Sequence, residues 1–418
     1  MSRRAGKPMG RAWRLAIECL RAHVKRSGRD PRHGAVVDHE TLTRERKADE
    51  TRAGGWTFAT RRSSGPARPL PLLLAVGCGA AVHRLCLDSG GVRRPLPFLL
   101  ALLAAGGLAA GCGGSSKPDR PPPQPEPTGQ PADFPSAGGK TLNDLASMAD
   151  GQGPVLAPSV SLLHKGVNRY GFALFDTARK QITGAEVALY TARPDGSGVR
   201  GPYVARSESL AVKPQFQSQT VAQDPNAAKS VYVADVPFKR NGKQAVVAIA
   251  KLDGRLLVTN GYSVNVTPTG GSGPPDVGAR AIRVHTQTLT DVGGDAAQLD
   301  TRRPFAKDLL QTDMADVLGK QPAVVTFATP LLCASRVCGP VVDIVEQVKA
   351  SAPKGVAFIH QEIYKDNQVN KGVRSQVAAW RLASEPWTFV IDRKGRISTR
   401  FEGAYSVGEL QRAVAKVA

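Results

Sequence analysis

Apolar and polar residues alternate in short runs over residues 155–267, and the pattern predicts strands at 167–175, 186–190, 203–205, 231–236, 245–250 and 256–266. Turn chemistry separates the runs: Pro194-Asp195-Gly196, Asn241-Gly242 and Asp253-Gly254. From about residue 282 the pattern changes. A continuous apolar run at 324–327 reads as a buried strand, and positions 341–349 repeat at helical spacing. A strand at 356–359 and a helix at 374–382 follow. Strands at 388–391 and 397–401, joined by Asp392-Arg393-Lys394-Gly395, and a helix at 407–417 close the chain. This succession predicts a strand–helix–strand unit, a crossover helix, a hairpin and a last helix.

The six or more short strands of 155–267, spaced by turns, favour an all-β sandwich of immunoglobulin-like type. The stretch Pro268-Thr269-Gly270-Gly271-Ser272-Gly273-Pro274-Pro275 marks 268–281 as a linker. The second folded unit is then 282–418. Residues 1–91 carry no sustained period. Arg-rich tracts there alternate with Gly, Pro and Ser, and such a stretch cannot bury enough surface to offset chain entropy, so disorder is expected.

At residue 92 the composition changes. Arg93-Arg94 precede thirteen largely apolar residues, 98–110, and the run closes on Leu108-Ala109-Ala110-Gly111-Cys112. Thirteen residues are short for a hydrocarbon core about 30 Å thick, whereas a basic start and small residues at the end suit a cleaved signal segment. The stretch 92–111 with Cys112 resembles the bacterial lipoprotein lipobox. That resemblance implies cleavage before Cys112, lipid on its sulfur, and anchorage on the extracytoplasmic face of the cell membrane. Gly113-Gly114-Ser115-Ser116 and Pro121-Pro122-Pro123 then read as a flexible tether over 112–154. A weaker site of the same kind ends at Cys78. No methionine falls between Met9 and Met148, and the expected translation start is the codon for Val92, which would leave 1–91 outside the natural chain.

The chain carries 56 Lys and Arg against 35 Asp and Glu, a formal charge of +21. Residues 1–111 hold 20 of those basic residues and 8 of the acidic ones, so more than half of the excess lies before Cys112. The remainder is thinly basic, without the dense stripe that phosphate binding requires, and nucleic acid is not an expected partner. Of the six cysteines, only Cys112, Cys333 and Cys338 follow the cleavage point, and a close pair in an exported domain is expected to meet an oxidising milieu.

Val324-Val325-Thr326-Phe327 leads into Ala328-Thr329-Pro330-Leu331-Leu332-Cys333. Cys338-Gly339-Pro340 opens the next helix, and Glu385-Pro386-Trp387-Thr388-Phe389 precedes a central strand. With the order of elements, these features make 282–418 similar to the thioredoxin-like fold, and closer to membrane-tethered redoxin relatives than to cytosolic thioredoxin. The resemblance implies Cys333 as attacking sulfur and Cys338 as resolving sulfur. It also implies a cis peptide before Pro386, and a substrate strand laid along Glu385, Pro386 and Trp387. Residues 360–382 look like the helical insertion of those relatives. Neither a cofactor nor a metal is implied. Exported proteins or a membrane redox partner are the expected partners.

The family's cysteines are separated by two residues, and these by four. On a regular helix, Cα atoms five positions apart stand about 8.6 Å from one another, beyond disulfide range. If the two pair, Cys333 must lie in the loop and Cys338 in the first helical turn. Arg336 would lower the thiol pKa if its side chain turned inward. Three readings stay open on the sequence. One is a thiol–disulfide oxidoreductase. The second is a redox-inactive binding module with a structural disulfide. The third is a peroxiredoxin-like or copper-chaperone relative, in which Ser335 and Arg381 would support Cys338. For the other candidates the bland expectation is a solvent-facing loop for His164, surface positions for His285 and His360, and core packing for Trp380 and, ahead of a substrate platform, for Trp387.

Overall fold

The computed structural model describes residues 121–333 and 335–418. The expectations for 1–91, for the signal segment 92–111, for Cys112 and for the first residues of the tether lie outside these. From residue 127 onward the expected tether is built into the fold. Thr128 donates from its N–H and its hydroxyl to the carbonyl of Ala205, at 2.8 and 2.9 Å. Helix α1 (Leu142–Met148) starts with a reciprocal cap between Thr141 and Asp144. Phe134, Ala137 and Leu145 are buried against Ala188, Tyr190 and Ile249. The Tyr190 hydroxyl donates to the Pro135 carbonyl at 2.7 Å.

Twelve strands follow: β1 (Gly151–Gln152), β2 (Val155–Pro158), β3 (Leu163–His164), β4 (Gly166–Phe175), β5 (Gln181–Ile182), β6 (Glu186–Ala192), β7 (Arg200–Val204), β8 (Arg206–Ser209), β9 (Ser230–Phe238), β10 (Gly242–Leu252), β11 (Arg255–Val258) and β12 (Tyr262–Thr267). They form two sheets. One runs β1-β11-β10-β12-β3 with β6 and β7 attached, and the other runs β2-β4-β9-β8 with β5. The single strand expected at 256–266 is two, broken at Asn260-Gly261, where the Asn260 side chain accepts from the Leu156 N–H at 2.9 Å.

Alternation along each strand decides which layers meet, because successive side chains leave opposite faces. Tyr232, Ala234, Val236 and Phe238 of β9 share a core with Val187, Leu189 and Ala248 of the other sheet. On the opposite face of β9, Val231 and Val233 belong to a different core, described below. Likewise β6 and β10 turn Tyr190 and Ile249 outward to the α1 segment. Each sheet is therefore covered on both faces.

Helix α2 (Gln219–Gln223) lies in the excursion between β8 and β9, and the last region starts with short 3₁₀ turns at Thr290–Val292, Ala296–Gln298 and Lys307–Leu310, followed by α3 (Met314–Val317). Strand β13 (Ala323–Phe327), helix α4 (Cys338–Ser351), β14 (Ala357–Gln361), α5 (Ser375–Ala379), β15 (Trp387–Ile391), β16 (Ile397–Glu402) and α6 (Val407–Val414) complete it. The sheet order is β14-β13-β15-β16, with β13 parallel to β14 and the other pairs antiparallel. One face, with Val324 and Val390, packs against α4 and α6. The other, with Val325, Phe327 and Phe389, covers Trp380 and Met314. The expected helical insertion at 360–382 is mostly turns. Asp366 and Asn367 take positive φ, Gly372 sits at φ 75°, and only five residues of α5 are α-helical.

The expected linker 268–281 is docked rather than free. The Gly278 and Ala281 N–H groups donate to the Ile397 and Gly395 carbonyls at 2.8 and 2.9 Å. Asp276 pairs with Arg400 at 2.8 Å and with His164 at 3.0 Å, so His164 is a half-buried tie and not a solvent-facing loop residue. A core containing Leu210, Val231 and Val233 of the β region and Val341, Ile344 and Leu410 of the α/β region joins the two. Beside it lies a buried charge network. Arg169 donates twice to Glu409 at 2.7 Å, and Arg206 reaches both Glu208 (3.1 Å) and Glu409 (3.6 Å).

Candidate redox site

Strand β13 is wholly buried and delivers the chain into the loop 328–337 at the end of the sheet. Two main-chain groups of that loop are tied to buried partners. The Ala328 N–H donates to the Gln361 carbonyl at 3.1 Å, and the Leu331 N–H to the Thr301 hydroxyl at 3.1 Å. The Ala328 carbonyl meets His360 Nε2 at 3.1 Å, and the Thr301 N–H donates to Glu362 at 3.2 Å. His360 is thus buried, against the surface position expected, because its ring is the polar partner of a carbonyl that water cannot reach. Burial pushes the Glu362 carboxyl up, against the opposing pull of His360.

Cys333 and Cys338 are bridged, with Cα atoms 6.0 Å apart. The geometry is the one the spacing demands: Cys333 lies in the loop and Cys338 is the first residue of α4. Pro340 costs this helix nothing, since N–H groups in a first turn have no helical acceptor. The turn between the sulfurs closes through Arg336, held at φ 59°. Cys338 is fully buried, whereas Cys333 is partly exposed and has the Ser335 hydroxyl 3.2 Å from its sulfur. Leu331 beside them is 61% exposed. Arg336 does not turn inward. Its guanidinium pairs with Asp224 of the β region at 3.3 Å.

The Glu385–Pro386 peptide is cis and leads into β15. Pro386 is buried and Glu385 half-buried. The Tyr364 hydroxyl donates to the Glu385 carboxylate at 3.3 Å, and burial pushes that carboxyl up. Trp387 takes the core position expected of it and not the substrate position that the resemblance implied. Its indole is 3% exposed, stacks on Phe389 and donates to Ser384, so no ring face is left for a substrate. Trp380 lies between Phe327 and Phe389, as its helical position implies. His285 is exposed and bound to Asp313 at 2.7 Å, which raises the pKa of its ring. Cys338, which a peroxidatic role would need accessible, has no exposed surface, and Arg381 is a solvent-exposed residue just past α5. Among the described residues no three His, Cys, Asp or Glu side chains are placed to hold a metal, and no helix is long and apolar enough to cross a membrane.

One group close to the site was invisible in the sequence. Arg302 is buried against α4, where it donates to Asp343 at 2.8 Å and pairs with Glu346 at 2.7 Å, while Asp343 also accepts from Ser218 of the β region at 2.9 Å. Burial pushes the Glu346 carboxyl up to about 7, with Arg302 opposing and Asp343, Asp300 and Asp308 adding to the rise. In the unfolded chain this group releases its proton near the ordinary carboxylate range. Between about pH 5 and 7 the folded chain therefore holds the extra proton, and stability declines as the pH rises. Glu346→Gln is expected to flatten that decline by on the order of 1 kcal/mol across the interval. Urea unfolding of both chains at pH 5, 6 and 7 checks it, and parallel curves would remove the assignment.

No protein-family model matches the chain, and no curated protein matches it. Two solved structures are each similar to about a quarter of the chain. One is a thiol:disulfide interchange protein of the thioredoxin family from Chlorobium tepidum TLS, 19% identical, covering 25% of this chain and 85% of that one, with a TM-score of 0.21. The other is a thioredoxin-like superfamily protein, 18% identical, covering 26% of this chain and 85% of that one, with a TM-score of 0.21.

Proposed function

We propose that the protein is a lipid-anchored, extracytoplasmic thiol–disulfide oxidoreductase acting on exported proteins through Cys333 and Cys338. The observation that carries the reading is the asymmetry of the pair: a partly exposed loop sulfur bonded to a fully buried one at the start of a 14-residue helix. In the reducing direction, the Cys333 thiolate attacks a substrate disulfide. One substrate sulfur leaves as thiolate and takes a proton from solvent. Cys338 then loses its proton, attacks Cys333 and expels the second substrate sulfur, so that two electrons pass to the substrate. The oxidising direction is the reverse, and a membrane redox partner restores the starting state. The Cys338 thiolate is formed where unpaired N–H groups and the helix dipole favour negative charge. An extended substrate segment would lie along the backbone at Glu385 and Pro386.

The full chain, added in catalytic amount, should speed disulfide exchange in a scrambled secreted protein, and absence of turnover in either direction would sink the reading. A second reading, a redox-inactive binding module stapled by the same disulfide, is favoured by the enclosure of Cys338 in the core shared with the β region. That region we read as an immunoglobulin-like sandwich that holds the redox site away from the lipid.

The anchor reading rests on 92–112. In a bacterial host, Cys112→Ser is expected to abolish labelling by radioactive palmitate and to release the protein from the membrane fraction. Labelling that persists in this variant would refute lipidation at Cys112.

A further inference from the structure

Between β8 and β9 the chain leaves the sheet at Ser209 and returns at Ser230, with α2 in the excursion. Its course is set by contacts to the redox helix. Ser218 donates to Asp343 of α4 from both its N–H and its hydroxyl, at 2.9 and 3.1 Å. Val221 comes so close to Gly339 that a Cβ there would stand 2.8 Å from the valine methyl, which is why the residue after Cys338 has no side chain. Helix α2 ends at Asp224, whose carboxylate accepts from the Asn226 N–H at 2.9 Å and is held in place by it. Arg336, between the two cysteines, reaches across to that fixed carboxylate at 3.3 Å.

The pair is too exposed to matter much for stability, with side chains 51% and 31% accessible. Its location is what counts. An Arg beside a thiol stabilises the thiolate, and an Arg drawn to a neighbouring carboxylate does so less. The acidic residues of α4, Asp343 and Glu346, are already paired with Arg302. Accordingly, we propose that Asp224 is a positioning residue of the β region that holds the Arg336 guanidinium off the sulfurs and so sets the reactivity of Cys333. The proposal deepens the oxidoreductase reading and rests on it.

The test is alkylation of the reduced full chain by iodoacetamide at neutral pH, followed at Cys333 by peptide mass spectrometry. Asp224→Asn should raise the rate about twofold, since the gain in thiolate fraction is partly offset by the lower nucleophilicity of a less basic sulfur. Arg336→Gln should lower it by a similar factor, Asp224→Glu should restore the wild-type rate, and Asp224→Asn should do nothing once Arg336 is Gln. An unchanged rate in Asp224→Asn, or an equal acceleration with and without Arg336, would overturn the proposal. If the coupling is found but the chain exchanges no disulfide with a protein substrate, the assignment of Asp224 stands and the oxidoreductase reading falls.

Discussion

Cys338→Ser is expected to stop turnover and to leave a chain that accumulates as a mixed disulfide through Cys333, whereas Cys333→Ser should neither turn over nor trap a partner. The difference follows from exposure. A substrate sulfur can approach Cys333, which lies in the loop beside exposed Leu331. Cys338 has no exposed surface and, in the proposed mechanism, resolves what Cys333 has formed. Exchange should fall by on the order of a hundredfold or more in either variant, since each removes one of two obligatory nucleophiles. Expression of Cys338→Ser in the native host, with non-reducing gels and mass spectrometry of the adducts, identifies the partners. A Cys338→Ser chain that traps nothing while Cys333→Ser does would reverse the roles. If neither traps, the staple reading gains.

Glu409→Ala is expected to lower the unfolding free energy by about 3–5 kcal/mol, the usual consequence of removing one member of a buried ion pair. The carboxylate sits at the start of α6. There it accepts two bonds from Arg169 of β4, lies 3.6 Å from Arg206 of β8, and closes a reciprocal cap with Ser406. Its loss leaves Arg169, already enclosed, without its main counter-charge. Burial works to raise the Glu409 carboxyl, but Arg169, and then Arg206, hold it below the ordinary carboxylate range. A depressed folded pKa means that this contribution is present above the unfolded value, near 4.5, and is lost as the pH falls through the folded one. The wild-type chain should therefore lose stability in acid more steeply than Glu409→Ala. Urea unfolding at pH 7 and pH 4 measures both effects, with Glu409→Gln separating lost charge from lost volume. A change under 1 kcal/mol at pH 7 would show the two regions to be held by the apolar core alone.

That coupling marks the limit of what could be read from the chain. Strand β13 was legible because Val324 to Phe327 is apolar throughout, and a fully buried strand needs that. The division of the cysteines between loop and helix was legible too, since five helical positions cannot be spanned by a disulfide. Alternation in β9 was visible, but it could not say that Val231 and Val233 face a second core rather than solvent. The segment 127–152 was missed because Phe134, Ala137 and Leu145 are scattered among Pro, Gly and Asp without a period. Nothing in the local sequence marks Arg302, Asp343 and Glu362 as buried. Their burial depends on partners 41, 125 and 61 residues away, such as Ser218 for Asp343, and no local pattern encodes those distances. For Trp387 core packing was legible, but not its partners: the direction of the ring is set by Phe389 and Ser384.

The equilibrium of the Cys333–Cys338 bond with glutathione separates an exchanging pair from a structural staple. The full chain is held in buffers of graded glutathione ratio, and the fraction bridged is read by alkylation and mass spectrometry. An exchanging pair should come to equilibrium within the buffered range, at a potential above about −300 mV. A bond that stays closed at every ratio, with a potential far below about −300 mV, would contradict the account.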